Sequence, residues 1–210
     1  NLKGEILDLS TPCVMGIVNI TPDSFFKDSR NATVDAALIK TERLLEEGAK
    51  FIDIGGYSSR PGAKEVSTVE EIDRVVPVIE AIQESFPKAI LSIDTFRAAV
   101  ARASINAGAH LINDISGGEL DEEMFQAAAE LNVPYILMHM KGTPQNMQQD
   151  PHYNNVTLEV ITYLVDKVAA LKNLGVKDII LDPGFGFAKS VDHNYKLLQE
   201  MEDLHIIGLP

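Results

Sequence analysis

Tryptophan is absent and cysteine occurs once, at Cys13. A single thiol closes no internal disulfide, so the fold has to rest on packing, which suits a reducing cytoplasm. Cys13 lies in an apolar run and reads as a core residue. No apolar run reaches the ~20 residues of a membrane-spanning helix, so a soluble protein is expected. The first residues, Asn1-Leu2-Lys3-Gly4-Glu5, carry no signal-peptide pattern. Basic side chains are scarce: 18 Lys and Arg stand against 31 Asp and Glu, a formal net charge of −13. Such a surface disfavours nucleic acid and anionic membrane as partners. It does not forbid an anionic small substrate, because local Arg, Lys or Mg²⁺ reverses the field inside a pocket. Several common chemistries also lack their patterns. No pair of His residues stands at zinc-ligand spacing, no Walker loop or complete Gly-x-Gly-x-x-Gly is present, and no Ser sits in a nucleophile elbow.

What is present is a regular alternation. The chain has 210 residues, 45% of them hydrophobic, enough for one sizeable core. Strand-length runs rich in Ile, Leu and Val cover Cys13 to Ile20, Phe51 to Gly55, Ala89 to Asp94, His110 to Ile115, Tyr135 to His139 and Asp178 to Asp182. They do not alternate cleanly with polar residues, the pattern of strands covered on both faces. Helical spacing links Val34, Ala37, Leu38, Thr41, Leu44 and Leu45, and again Leu158, Ile161, Leu164, Val165, Val168 and Leu171. Ser67 and Glu70 form a capping box ahead of Ile72, Val75, Val76 and Ile79, with a kink expected at Pro77. A weak repeat joins helix ends to strand starts: Gly48-Ala49-Lys50-Phe51-Ile52-Asp53, Gly108-Ala109-His110-Leu111-Ile112-Asn113 and Gly175-Val176-Lys177-Asp178-Ile179-Ile180. Glycine there accepts the left-handed conformation that ends a helix, and Asn132 can do the same.

Repeated strand–helix units make a parallel α/β protein. An open doubly wound sheet competes with a closed (β/α)8 TIM barrel. The strand ends favour the barrel: Asn19, Asp53, Asp94, Asn113 with Asp114, His139 and Asp182 finish or nearly finish the six runs. In a barrel these ends meet at one mouth, where active sites are built. About six units are visible, and His205 to Pro210 looks like the approach to another strand. The expectation is therefore a single domain over residues 1–210 that lacks the C-terminal strands of an eight-stranded barrel.

Four segments carry candidate chemistry. Asn19-Ile20-Thr21-Pro22-Asp23-Ser24-Phe25-Phe26 is a loop after the first strand. Its Asn19 offers an amide to a metal or phosphate, and its two Phe residues suit either a closing lid or a packed anchor. Gly55-Gly56-Tyr57-Ser58-Ser59-Arg60-Pro61-Gly62 suits close approach to an anion, or is an ordinary turn with a solvated Arg. Asp94, Asn113 and Asp182 end apolar strands, where a carboxylate needs donors or a metal. A flat heterocycle rich in N–H groups supplies such donors, though structural hydrogen bonds explain any one of them. Asp182-Pro183-Gly184-Phe185-Gly186-Phe187-Ala188-Lys189 resembles a phosphate loop only faintly; Phe187 either stacks on a ring or seals the barrel end. His139 and His110 read as structural residues, and the stretch from Lys141 to Gln149 as a long loop, either a solvated excursion or a cover over a ligand.

Taken in order, these segments resemble the dihydropteroate synthase family. The likeness runs through Asn-Ile-Thr-Pro-Asp-Ser-Phe (19–25), Ser-Ser-Arg-Pro-Gly-Ala (58–63), Ser-Ile-Asp-Thr (92–95), Ile-Asn-Asp-Ile (112–115), Leu-Met-His-Met (137–140) and Leu-Asp-Pro-Gly-Phe-Gly-Phe (181–187). The resemblance implies a transferase that condenses 6-hydroxymethyl-7,8-dihydropterin pyrophosphate with p-aminobenzoate, with Mg²⁺ as cofactor and sulfonamides as competitors of the aminobenzoate. It implies that Asp94, Asn113 and Asp182 hold the pterin, with Met138 packed on it. Asn19 would lie at the pyrophosphate and Mg²⁺, and Ser59, Arg60, Pro61 and Phe187 by the aminobenzoate. Asp23 and Phe25 would belong to a closing loop, and Asp94 and Arg60 would carry the catalysis. A cytoplasmic homodimer is implied as well. Tyr57 departs from the acidic residue many members have, and the family's later Ser-Arg-Lys-Ser and Arg-x-His motifs are absent from these residues. Two alternatives remain: a pterin-binding methyltransferase module that moves a methyl group from a folate to a corrinoid protein, and a pterin-binding fragment without turnover.

Overall fold

The computed structural model describes residues 2, 6–20, 30–58, 66–143, 146–148 and 151–210. Among them strands and helices alternate: β1 (Val14–Asn19), α1 (Arg30–Glu46), β2 (Ala49–Gly55), α2 (Thr68–Ser85), β3 (Ile90–Asp94), α3 (Ala98–Asn106), β4 (Leu111–Asp114), α4 (Met124–Leu131), β5 (Tyr135–Met138), α5 (Val156–Asn173), β6 (Ile179–Asp182) and α6 (Val191–Gln199). The six strands form one parallel sheet in the order β1-β2-β3-β4-β5-β6. Each strand lies beside its predecessor, so the order never reverses and there is no switch point of the kind a doubly wound sheet has. That is barrel winding.

Alternation along each strand separates two faces. Ile52, Ile54, Leu91, Ile93, Ile112, Tyr135, Leu137 and Ile179 point toward the helices and join the main core with Val75, Val78, Ile79, Ile82, Val160, Leu164 and Leu171. The other face forms layers. At its N-terminal end Met15, Phe51, Ile90, Leu111, Ile136 and Ile180 cluster with Leu7 and Leu9. Two residues further along β2, β3, β4, β5 and β6 stand Asp53, Ser92, Asn113, Met138 and Asp182. The same polypeptide thus lays an apolar floor and a mostly polar layer above it.

Local expectations fare unevenly. Gly48, Gly108 and Gly175 take positive φ (97°, 116° and 95°), as does Asn132 (50°), where helices turn into strands. Ser67 Oγ accepts from Glu70 N at 3.2 Å, but the Glu70 carboxylate bonds Arg74 at 2.6 Å, so only half of the expected capping box forms. The complete box belongs to Ser190 and His193 at the start of α6. The α2 helix continues across Pro77. Leu158 and Val165 face outward, and the buried stripe of α5 runs through Val156, Val160, Leu164, Val168 and Leu171. Cys13 is exposed rather than core: it precedes β1, whose first residue Val14 is itself 64% exposed and which has only β2 as a strand neighbour among the described residues. Met201–Ile207 is a 3₁₀ turn, while Pro210 O accepts from Leu181 N at 2.7 Å, as a strand beside β6 would. No helix among the described residues is long and apolar enough to cross a membrane.

Candidate active site

Strand register brings the predicted residues to one rim. Asn19 pairs with Gly55, Gly55 with Asp94, Asp94 with Asn113, and Met138 with Asp182. Gly55 is needed at the centre of this row. A Cβ there would stand 3.1 Å from Asn19 Oδ1 and 3.3 Å from Asp94 Oδ2, so its absence lets both oxygens face the same small space. Asn19, Asp94, Asn113, Met138 and Asp182 are thereby gathered on the inner face. Ser59, Arg60, Pro61, Asp23 and Phe25 lie outside the described residues.

The electrostatics of this face are dominated by carboxylates. Asp94 is held well above its ordinary range, first by burial and then by the negative charges of Asp53, Glu71 and Asp114. Burial also raises Asp53, opposed by Ser92 and Asn113. Asn113 Nδ2 donates to Asp53 Oδ2 at 3.0 Å. Asp182 Oδ1 accepts from Gly184 N at 2.7 Å; burial pushes its pKa up, while that bond and the charge of Lys189 pull it down. Asp114 departs from the expected set. It faces the helices, where Tyr135 donates to it at 2.5 Å and Ser116 and Gly118 add further bonds, so its place at a strand tip is structural.

An apolar wall completes the rim. Met138 is buried with Ile115, Met140, Met147 and Ala188, and Phe187 packs against the same group. Met147 therefore belongs to this wall, although it lies in a stretch that the sequence left open between a solvated loop and a ligand-covering one. His110 is structural as expected: its Nδ1 accepts from Leu91 N at 2.9 Å. His139 is buried and its pKa falls to about 3, through burial and then the charges of Lys189 and Lys141. It is neutral and makes no proton donor near pH 7.

Two features escape a sequence reading. Lys189 is buried, and its Nζ lies 3.0 Å from His139 Nδ1, 2.9 Å from Gly184 O and 3.0 Å from Phe187 O, tying the loop after β6 to the end of β5. Its pKa is pushed down to about 8 by burial. Glu71 is buried in α2, accepts from Thr95 Oγ1 at 2.8 Å and pairs with Arg97, whose guanidinium also donates to Val66 O at 2.8 Å and lies over Tyr57 and Phe96. Asp53 was legible as a polar group near the end of its strand, and strand alternation turns it inward with Gly55; its bond to Asn113 was not legible.

A rim of oxygen donors beside an apolar wall on a (β/α) barrel suits a flat, N–H-bearing heterocycle. The sequence profile of the pterin binding enzyme family matches residues 15–210, so the chain belongs to that family. It is 45% identical over 210 residues to the dihydropteroate synthase of Haemophilus influenzae, an alignment covering 99% of this chain and 76% of that protein. Solved structures agree. The dihydropteroate synthase of Yersinia pestis in complex with a sulfonamide drug superposes with a TM-score of 0.92 at 46% identity, covering all of this chain and 76% of the other. That of Xanthomonas albilineans with 4-aminobenzoic acid gives 0.89 at 44%, covering 97% and 72%. Within the pterin-binding enzymes the chain falls with the dihydropteroate synthases, TIM-barrel transferases of folate biosynthesis, and it spans about three-quarters of the length of these relatives.

Proposed function

We propose that the inner rim joins a pterin pyrophosphate to p-aminobenzoate, with the residue roles that follow. The observation that carries the reading is the placement of Asp94, Asn113 and Asp182 on one inner face beside Met138. A 2-aminopterin offers several N–H donors and one flat apolar face; carboxylates and an amide oxygen accept from the first, and Met138 packs on the second. The C–O bond between the pterin methylene and pyrophosphate breaks with its electron pair leaving on pyrophosphate. The arylamine nitrogen then bonds that carbon and gives up a proton to solvent. Positive charge develops on the pterin as the bond breaks. Burial and the charges of Asp53, Glu71 and Asp114 raise the Asp94 pKa; a pterin cation beside it favours the ionised carboxylate, so Asp94 is the group placed to stabilise that charge. An arylamine is already a nucleophile, so the neutrality of His139 costs the reaction nothing.

Mg²⁺ fits this rim through Asn19. Asn19 Oδ1 is a hard oxygen donor facing the space above Gly55, and no cluster of three or more His, Cys, Asp or Glu ligands exists among the described residues. Mg²⁺ commonly takes few protein oxygens and completes its shell with phosphate and water. Bound there, it supplies charge neutralisation for the departing pyrophosphate. Arg60 would serve the same anion or the aminobenzoate carboxylate, Ser59, Pro61 and Phe187 the aminobenzoate ring, and Asp23 and Phe25 a covering loop. Sulfonamide competition with the aminobenzoate, a cytoplasmic location and a homodimeric state belong to the same proposal. Incubating the purified protein with both substrates and following 7,8-dihydropteroate and pyrophosphate tests it. Equimolar appearance of the two supports the reading. Methyl transfer from a methylated folate, or pterin binding without any product, would replace it with the methyltransferase or the non-catalytic alternative.

A further inference from the structure

We propose that Asp53 is a positioning residue that fixes the amide of Asn113 with its oxygen turned to the pterin as an acceptor. The inference deepens the function proposed above and rests on Asn113 contacting the pterin. An asparagine amide has two chemically opposite ends of nearly equal size, and only its neighbours decide which end faces a ligand. Asn113 has such a neighbour in the same inner layer. Asp53 is buried, and its Oδ2 lies 3.0 Å from Asn113 Nδ2. An ionised carboxylate only accepts, so it holds the NH₂ end and turns the oxygen away.

The geometry on the other side agrees. Asn113 Oδ1 is buried and has no hydrogen-bond partner among the described residues. A buried acceptor left unpaired is costly, and a ligand N–H removes the cost. The other carboxylate oxygen, Asp53 Oδ1, is buried without a hydrogen-bond partner among the described residues; burial raises the Asp53 pKa, and Ser92, its strand neighbour, and Asn113 oppose that shift. The pair Asp53 and Asn113 thus ends in one aimed acceptor. Asp53 does not touch the reacting atoms; it acts through Asn113.

The test is an exchange of the two groups. Asp53→Asn offers Asn113 a partner that accepts or donates, so the Asn113 amide is free to turn its NH₂ toward the pterin's own donors. Loss of one directed acceptor raises the KM for pterin pyrophosphate by about tenfold. The KM for p-aminobenzoate stays unchanged, a split that a mere loss of folded enzyme would not produce. Asn113→Asp sets two carboxylates face to face and weakens pterin binding likewise, with affinity returning as pH falls and the pair takes up a proton to share. The double variant Asp53→Asn/Asn113→Asp restores one donor facing one carboxylate, with a second carboxylate oxygen left for the pterin. It is expected to bind pterin better than either single variant, measured by calorimetry with the free pterin as well as by KM.

A wild-type-like pterin KM in folded Asp53→Asn, or an exchange no better than folded Asn113→Asp, overturns the proposal. If neither the Asp53→Asn single variant nor the double variant folds, the pH dependence of pterin affinity in Asn113→Asp decides: recovery at low pH supports it and a flat profile overturns it. Wild-type protein that forms no dihydropteroate overturns the function itself. Activity with Asn113→Ala indistinguishable from wild type overturns the contact on which Asp53 would act.

Discussion

Glu71→Gln is the substitution whose consequence is most fully set by the structure. The Glu71 side chain is 0% exposed and its partner Arg97 is 16% exposed. Glutamine keeps the volume and an oxygen that can still accept from Thr95 Oγ1, now at 2.8 Å. What disappears is the charge, leaving Arg97 with the carbonyl of Val66 and the rings of Tyr57 and Phe96. Breaking a buried ion pair from one side costs about 3–5 kcal/mol, because the remaining ion is desolvated without compensation. Against a total stability of roughly 5–15 kcal/mol, that is a large share. For a domain of this size it lowers the thermal midpoint by about 6–20 °C. Scanning calorimetry on both proteins at one pH measures it. The same change removes one of the charges that raise Asp94, so the Asp94 carboxyl should titrate lower in the variant, seen by carbon-detected NMR. Adding Arg97→Met removes the stranded cation and recovers part of the loss. A midpoint within about 2 °C of wild type would refute the reasoning, since it would mean that water already solvates the pair.

Other perturbations separate the roles assigned above. Asp94→Asn removes charge facing the developing cation and lowers kcat by about a hundredfold or more while circular dichroism stays native; near-wild-type turnover rules out that role. Replacing Arg60 with Ala raises the KM for p-aminobenzoate more than that for the pterin, and an unchanged aminobenzoate dependence counts against its assignment. Lys189→Met leaves Gly184 O, Phe187 O and His139 Nδ1 without their donor, a loss of about 2–4 kcal/mol in urea unfolding. The folded-state pKa of Lys189, about 8, lies below its ordinary 10.5, so between these values the unfolded chain holds more protons and this contribution grows with pH. The stability gap between wild type and Lys189→Met should widen from pH 8 to pH 10, and a narrowing gap contradicts the depressed pKa. His139 falls to about 3 from 6.5, so its contribution is lost as pH drops through that interval. Its NMR shifts should stay constant from pH 5 to pH 8, and a titration centred near 6.5 would show that it is solvated.

Much of this architecture was legible because it is periodic and local. Parallel strands covered on both faces produce unbroken apolar runs, and their polar last residues mark one end of the sheet; Asn19, Asp94, Asn113 and Asp182 were readable for that reason. Helix ends were readable through Gly48, Gly108 and Gly175, where only the backbone is at stake. The errors came where a residue's surroundings are set from far along the chain. Cys13 looks like core, but apolar neighbours in sequence do not supply a neighbouring strand. Asp114 and Asn113 adjoin at one strand tip, yet the two-residue period of the strand sends one to Tyr135 and the other to Asp53, 60 positions away. Lys189 is the sharpest case, since a lysine after a Gly-Phe-Gly-Phe run has every local reason to be solvated. Its burial follows from three acceptors meeting at one point, two from its own loop and one from His139, 50 positions earlier. A charge brought that far out of water persists only if its partners were placed by the same fold that positions Asp182 and Phe187. The loop after β6 is therefore held by His139, just past β5, as well as from its own strand, a restraint that the loop's own sequence does not display.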